Sequence, residues 1–171
     1  MTIERRIARS EFTLTRDYAA PVHRVWNAFA DEQEKLAWWG AGDSVEPGEW
    51  LFDFRIGGRD VAEGKFHDGP VSRYEATYTD IVEHDRIVTT YDMWIDGTHM
   101  STSLASLEFE SIDDGTRFTH TEHGVFFDGF WADGPNRENA ACRPGELPGN
   151  LTKSWPSVRE RDSHPDERVS R

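Results

Sequence analysis

A chain of 171 residues is long enough for one domain with a real core and short for two. Its apolar content is only 36%, yet 12% of the chain is aromatic, with seven Trp and ten Phe, a composition that disordered chains lack. Thirty-two acidic against nineteen basic residues leave a formal net charge of -13, a field that repels phosphate backbones and anionic headgroups and sets nucleic acid and membrane surfaces aside as partners.

Met1 to Ser10 holds three Arg and no apolar run, so it does not read as a secretory signal, and the expected location is the cytoplasm. From Phe12 to Tyr18 a period of two puts Phe12, Leu14 and Arg16 on one face and Thr13, Thr15 and Asp17 on the other, which predicts a strand. Pro21 suits a first helical turn, and Val25, Trp26, Phe29 and Ala30 follow at the spacing of one helix face. Asp31 reads as the cap of a second helical piece that ends at Trp38-Trp39, with Gly40 as its stop.

After Gly40 the period changes. Trp50, Phe52, Phe54 and Ile56 alternate with Leu51, Asp53 and Arg55, predicting a strand with a bulky aromatic face. Gly57-Gly58 turns it and residues 60–66 return. Gly57-Gly58-Arg59 is not a phosphate loop, because no helix follows to offer its N-terminus. Further strands are predicted at 73–82, 86–95, 101–110 and 116–123. Short polar turns at Glu83-His84-Asp85, Asp96-Gly97-Thr98 and Asp113-Asp114-Gly115 separate them, a pattern that makes an antiparallel meander. Strand, two helices, then hairpins is an α+β order.

Residues 139–171 hold four of the eight Pro, and the last positions are crowded with charge, so 156–171 reads as a disordered tail. The only cysteine, Cys142, lies in this region, which leaves no internal disulfide.

The motifs taken together resemble the activator-of-heat-shock-ATPase homologue family, the bacterial branch of the START-like (SRPBCC) superfamily. The carrying residues are Thr13-Leu14-Thr15-Arg16-Asp17-Tyr18-Ala19-Ala20-Pro21 with Val25-Trp26, then Leu36-Ala37-Trp38-Trp39-Gly40 and Arg55-Ile56-Gly57-Gly58-Arg59. Gly115-Thr116-Arg117-Phe118-Thr119-His120-Thr121-Glu122-His123-Gly124 follows, with Phe127-Asp128-Gly129 and Arg137-Glu138. The resemblance implies a helix-grip domain over 11–138, in which a curved antiparallel sheet wraps a helix and encloses an apolar cavity. It also implies a long amphipathic helix from Arg137. Here Pro144 and Pro148 interrupt that helix, and each interior Pro costs about 3 kcal/mol. Segment 139–155 is therefore expected to carry no helix beyond about three turns.

The Asp113-Asp114 turn sets a register that pairs Phe109 with Phe118, Leu107 with His120 and Ala105 with Glu122. Phe118, His120 and Glu122 then share the concave face, where the resemblance leads one to expect an apolar residue in place of His120. Two roles stay open for His120 and Glu122: a hydrogen-bonded pair that holds the sheet, or a ligand-binding or catalytic pair. Trp26, Phe29, Trp39, Trp50, Phe52, Phe54, Tyr91, Met93 and Phe118 are the expected lining of the cavity or core. His120 and His123 lie three apart on a strand and face opposite sides, so no metal is expected, and no cofactor either.

The first functional expectation is binding of a small apolar, aromatic or lipid-like molecule in the cavity. The second is an enzyme of cyclase, dehydratase or hydrolase type using His120 and Glu122 as acid and base. The third, implied by the resemblance alone, is a co-chaperone of the 90-kDa heat-shock chaperone. It ranks last because members that activate the chaperone carry an additional N-terminal domain, and here the fold is read to begin near Glu11. Association with a second copy of the chain is left open.

Overall fold

A computed structural model describes residues 6–39 and 45–130. The expectations for Gly40, Cys142, the segment 139–155 and the tail 156–171 fall outside the described residues.

The described elements are β1 (Ile7–Tyr18), α1 (Val22–Ala30), α2 (Glu32–Trp39), β2 (Val45–Phe52), β3 (Arg59–Phe66), β4 (Val71–Val82), β5 (Arg86–Ile95), β6 (Thr98–Ile112) and β7 (Gly115–Phe127). The strands form one seven-stranded sheet in the order β1-β7-β6-β5-β4-β3-β2, with every pair antiparallel. Strands β1 and β2 are neighbours in the chain but occupy opposite edges, so α1 and α2 must carry the chain across one face of the sheet. That face is the concave one, and the architecture is a helix-grip.

Each predicted element is present, and local chemistry explains most of its ends. Pro21 is the N-cap of α1, with its carbonyl accepting from the Arg24 and Val25 amides. Asp31 caps α2, its Oδ1 accepting from the amides of Gln33 and Glu34 at 3.0 and 2.9 Å. Asp96 and Gly97, with φ of 48° and 74°, form the tight β5–β6 turn, a conformation that favours Asp and Gly. Gly115 begins β7 at φ 146°, and a Cβ there would lie 2.0 Å from the Tyr18 carbonyl oxygen.

Strand boundaries differ from expectation in several places: β1 begins at Ile7 and not Phe12, and β7 runs on to Phe127, beyond His123. The strand read through Ile56 stops at Phe52, and a loop from Asp53 to Gly58 replaces the short Gly57-Gly58 turn. The loop folds on itself: the Asp53 amide bonds the Arg59 carbonyl, Gly58 bonds Arg55, and Gly57 bonds Tyr78. Phe54 still points inward, against Trp26 and Tyr78 with ring centroids 6.0 and 5.1 Å away, while Ile56 is exposed.

The main core lies between α1 and the sheet. Val25, Trp26, Ala28 and Phe29 from the helix meet Tyr18, Tyr78, Ile87, Phe109 and Phe118. A second cluster of Ala76, Tyr91, Met93, Met100 and Ala105 lies farther along β4, β5 and β6. Among the described residues no helix is long and apolar enough to cross a membrane.

Candidate functional site

The β6–β7 hairpin closes over Asp113-Asp114 with Ile112 opposite Gly115. This places Phe109 opposite Phe118, Leu107 opposite His120 and Ala105 opposite Glu122. Phe118 is 1% exposed and stacks on Phe29 of α1 at 5.2 Å, so this face of the hairpin is the one the helix covers. His120 and Glu122 follow on the same face, beyond the reach of the α1 aromatics. His123 points the other way, 3.5 Å from Glu11.

Glu122 is buried, and its Oε1 accepts a hydrogen bond from Ser103 Oγ at 3.1 Å. Tyr91 hydrogen-bonds the same carboxyl. Burial pushes the carboxyl pKa upward, and the bonds from Tyr91 and Ser103 only partly oppose it. His120 Nε2 lies 3.7 Å from Glu122 Oε2, longer than a hydrogen bond. The His120 ring meets the edge of Phe12 at 5.2 Å. Loss of solvent pushes its pKa down to about 4. At neutral pH the imidazole is therefore uncharged and poised beside a carboxyl that resists ionisation.

The expected lining residues separate into groups. Trp26, Phe29 and Phe118, with Phe52 and Phe54 beside them, belong to the main core and are filled by one another. Tyr91 and Met93 belong to the second cluster, next to Glu122. Trp39 joins this second group through Tyr74, with ring centroids 5.1 Å apart, and Tyr74 in turn meets Tyr91 at 5.1 Å. Trp50 stands apart, its indole N–H donating to Glu32 at the start of α2. The Trp38-Trp39 pair diverges: Trp38 packs on Phe29 and donates to the Ala28 carbonyl, while Trp39 turns to the sheet.

A second polar group was not anticipated. Lys35 of α2 and Asp60 of β3 form a buried ion pair, and Tyr78 donates to the same Asp60 oxygen, Oδ2, at 3.0 Å. Burial and the neighbouring Asp60 charge raise the Tyr78 pKa, so its hydroxyl stays a donor. The expected Gly57-Gly58 turn sets Phe52 opposite Glu63, whereas the loop from Asp53 to Gly58 sets Phe52 opposite Asp60, so the sequence carried no signal for Asp60 or for Lys35.

The concave face thus carries an uncharged imidazole beside a carboxyl whose pKa burial raises, next to the Tyr91–Met93 cluster. Comparison with known proteins agrees with this architecture. The sequence matches the family described as Activator of Hsp90 ATPase homolog 1-like protein over residues 19–142. A crystal structure from Rhizobium loti is similar at 38% identity and a TM-score of 0.75, covering 88% of this chain and 99% of that one. A second, from Rhizobium leguminosarum, is similar at 29% identity and a TM-score of 0.77 with the same coverage of 88% and 99%. A protein of Chromobacterium violaceum at 21% identity, with a TM-score of 0.58 over 75% of this chain and 86% of its own, shares the fold. No curated protein matches this chain. The family match over residues 19–142, with a solved relative at 38% identity covered almost end to end, places the chain in the activator of Hsp90 ATPase homolog 1-like family.

Proposed function

We propose that the chain binds a small apolar, aromatic or lipid-like molecule against the concave face, with its polar group beside His120 and Glu122. The observation that carries this reading is the state of His120. Its ring lies in an aromatic setting, takes no hydrogen bond among the described residues, and stands 3.7 Å from a carboxyl that Tyr91 and Ser103 hold in place. A pair built only to hold the sheet would gain by closing that gap into a hydrogen bond, whereas His120 keeps 22% of its side chain exposed. An imidazole left unbonded is available to a ligand.

Membership of the family supports either a ligand-binding or a co-chaperone-like role. The polar floor favours the first. It also supports an acid–base reading, since an uncharged imidazole accepts a proton and a carboxyl whose pKa is raised holds one to give at higher pH than usual.

Native mass spectrometry of the protein as purified tests the ligand reading, which expects a retained adduct of a few hundred daltons or less. Glu122→Gln keeps the shape and removes the charge. It should weaken binding of that molecule at least tenfold, about 1.4 kcal/mol, with the fold intact. A fall in thermal stability with binding in proportion to the folded fraction would instead make the pair structural.

A further inference from the structure

The two edges of the sheet are built differently. Strand β2 closes one edge with eight residues that include Pro47, and its register slips between Pro47 and Trp50. A proline and a break in register both keep an edge from pairing further. Strand β1 closes the other edge with twelve residues, no proline and an unbroken register from Ile7 to Tyr18. No described strand lies beyond it.

The direction of its main chain follows from one bond. The Asp128 amide donates to the Arg6 carbonyl at 2.9 Å, in the same register that sets Ile7 opposite Phe127. Hydrogen-bonded pairs alternate along an antiparallel ladder, so the even-numbered residues of β1 direct their amides and carbonyls to β7. The β6–β7 hairpin agrees. Ile112 and Gly115 flank a two-residue loop and bond each other, which leaves the even-numbered residues of β7 for β1. Arg9, Glu11, Thr13, Thr15 and Asp17 therefore turn their amides and carbonyls to the open edge, and the first three are exposed.

The charges select what pairs there. A second β1 laid antiparallel about a twofold axis at Thr13 sets Arg9 of each copy opposite Asp17 of the other. It also sets Glu11 opposite Thr15 and the half-buried Phe12 opposite Leu14, with roughly ten main-chain hydrogen bonds between the strands. A twofold at Glu11 would set that carboxylate against itself, and one at Leu14 would set Glu11 against Asp17. One at Phe12 brings no opposite charges together. One at Ser10 pairs Arg9 with Glu11 but leaves the main chain of Thr15 and Asp17 outside the pairing. Asp17 is held in place by Arg117, which donates to its two oxygens at 2.9 and 3.0 Å.

We propose that β1 is the contact surface for a second copy of this chain, the two β1 strands pairing about a twofold at Thr13 to make one sheet through both molecules. Sedimentation equilibrium of the full chain tests this, and at about 100 µM the expected species is a dimer with twice the 19.6 kDa of the chain. Thr13→Pro removes the amide at the twofold and leaves the bonds to β7 untouched. It should weaken the dimer at least tenfold with the circular dichroism spectrum of the wild type. Thr13→Val loses the same hydroxyl but keeps that amide, and should dimerise like the wild type. Arg9→Glu and Asp17→Lys each set like charges opposite one another, so either alone should be monomeric at the same concentration. Mixed in equal amounts they should form a heterodimer, because each altered charge then meets its opposite. Should Thr13→Pro misfold, the charge-exchanged mixture decides alone. A wild-type chain that stays monomeric, or that assembles beyond a dimer, overturns the proposal. So does a dimer that survives Thr13→Pro, or a mixture of the two folded charge variants that remains monomeric.

Discussion

An imidazole taken out of water loses its proton more easily, and a carboxyl taken out of water keeps its proton longer. His120 therefore stays neutral in the fold down to about 4, while the unfolded chain protonates it near 6.5. Between those values the unfolded state binds the extra proton, so the stability present above 6.5 is lost as pH falls toward 4. Glu122 runs the other way, because its raised value makes stability fall as pH climbs above 4.5. His120→Leu should remove roughly 2 kcal/mol of the stability lost between about pH 7 and pH 5, read from urea midpoints at the two values. An unchanged difference would mean that His120 is solvated. The facing of both residues was legible in the sequence, because the Asp113-Asp114 turn admits one register. The roles of Ser103 and Tyr91 were not legible, since Ser103 reaches Glu122 diagonally from β6 and Tyr91 reaches it from β5, two strands away, and neither is its directly paired residue.

Among the elements, α2 departs furthest from its own pattern. Hydrophobicity would bury Leu36 and expose Lys35, yet Leu36 is 43% exposed and Lys35 6%. Asp60, waiting on the sheet opposite, reverses the order, and a helix read alone carries no trace of it. The stretch after Trp50 teaches a related point. Its alternation through Phe54 records which side faces the core, and Phe54 does face it, but from a loop that has left the strand ladder. Helix α1 follows its pattern closely, and its face of Val25, Trp26, Ala28 and Phe29 packs into the main core. Phe29→Ala should cost about 3–5 kcal/mol, because Phe109, Phe118 and Trp38 cannot close over the space. Asp31→Ala, which strips two amides of their cap, should cost only about 1 kcal/mol. Urea denaturation of the two variants checks the ranking, and equal losses would contradict it.

On the scale of the whole molecule, the sheet is closed by its sequence-distant ends. Strand β1 pairs with β7 from Ile7 opposite Phe127 to Tyr18 opposite Thr116, and among the described strands β1 has no other partner. Pairing so far apart in the chain slows folding, because the intervening loop must close before the contacts repay it. Refolding followed by Trp fluorescence after dilution from urea should take about milliseconds to seconds, and a relaxation finished in microseconds would contradict a rate-limiting closure of this sheet. The same pairing has a consequence for biosynthesis. The ribosome makes β1 first among the strands and its partner β7 last, some 120 residues later, a wait of roughly 6–25 s at ordinary elongation rates. Throughout that interval β1 is a strand without a sheet. Charged and hydroxylated positions such as Arg9, Glu11, Thr13, Thr15 and Asp17 keep one of its sides soluble in the nascent chain, and only afterwards do Thr13 and Thr15 meet Thr121 and Thr119.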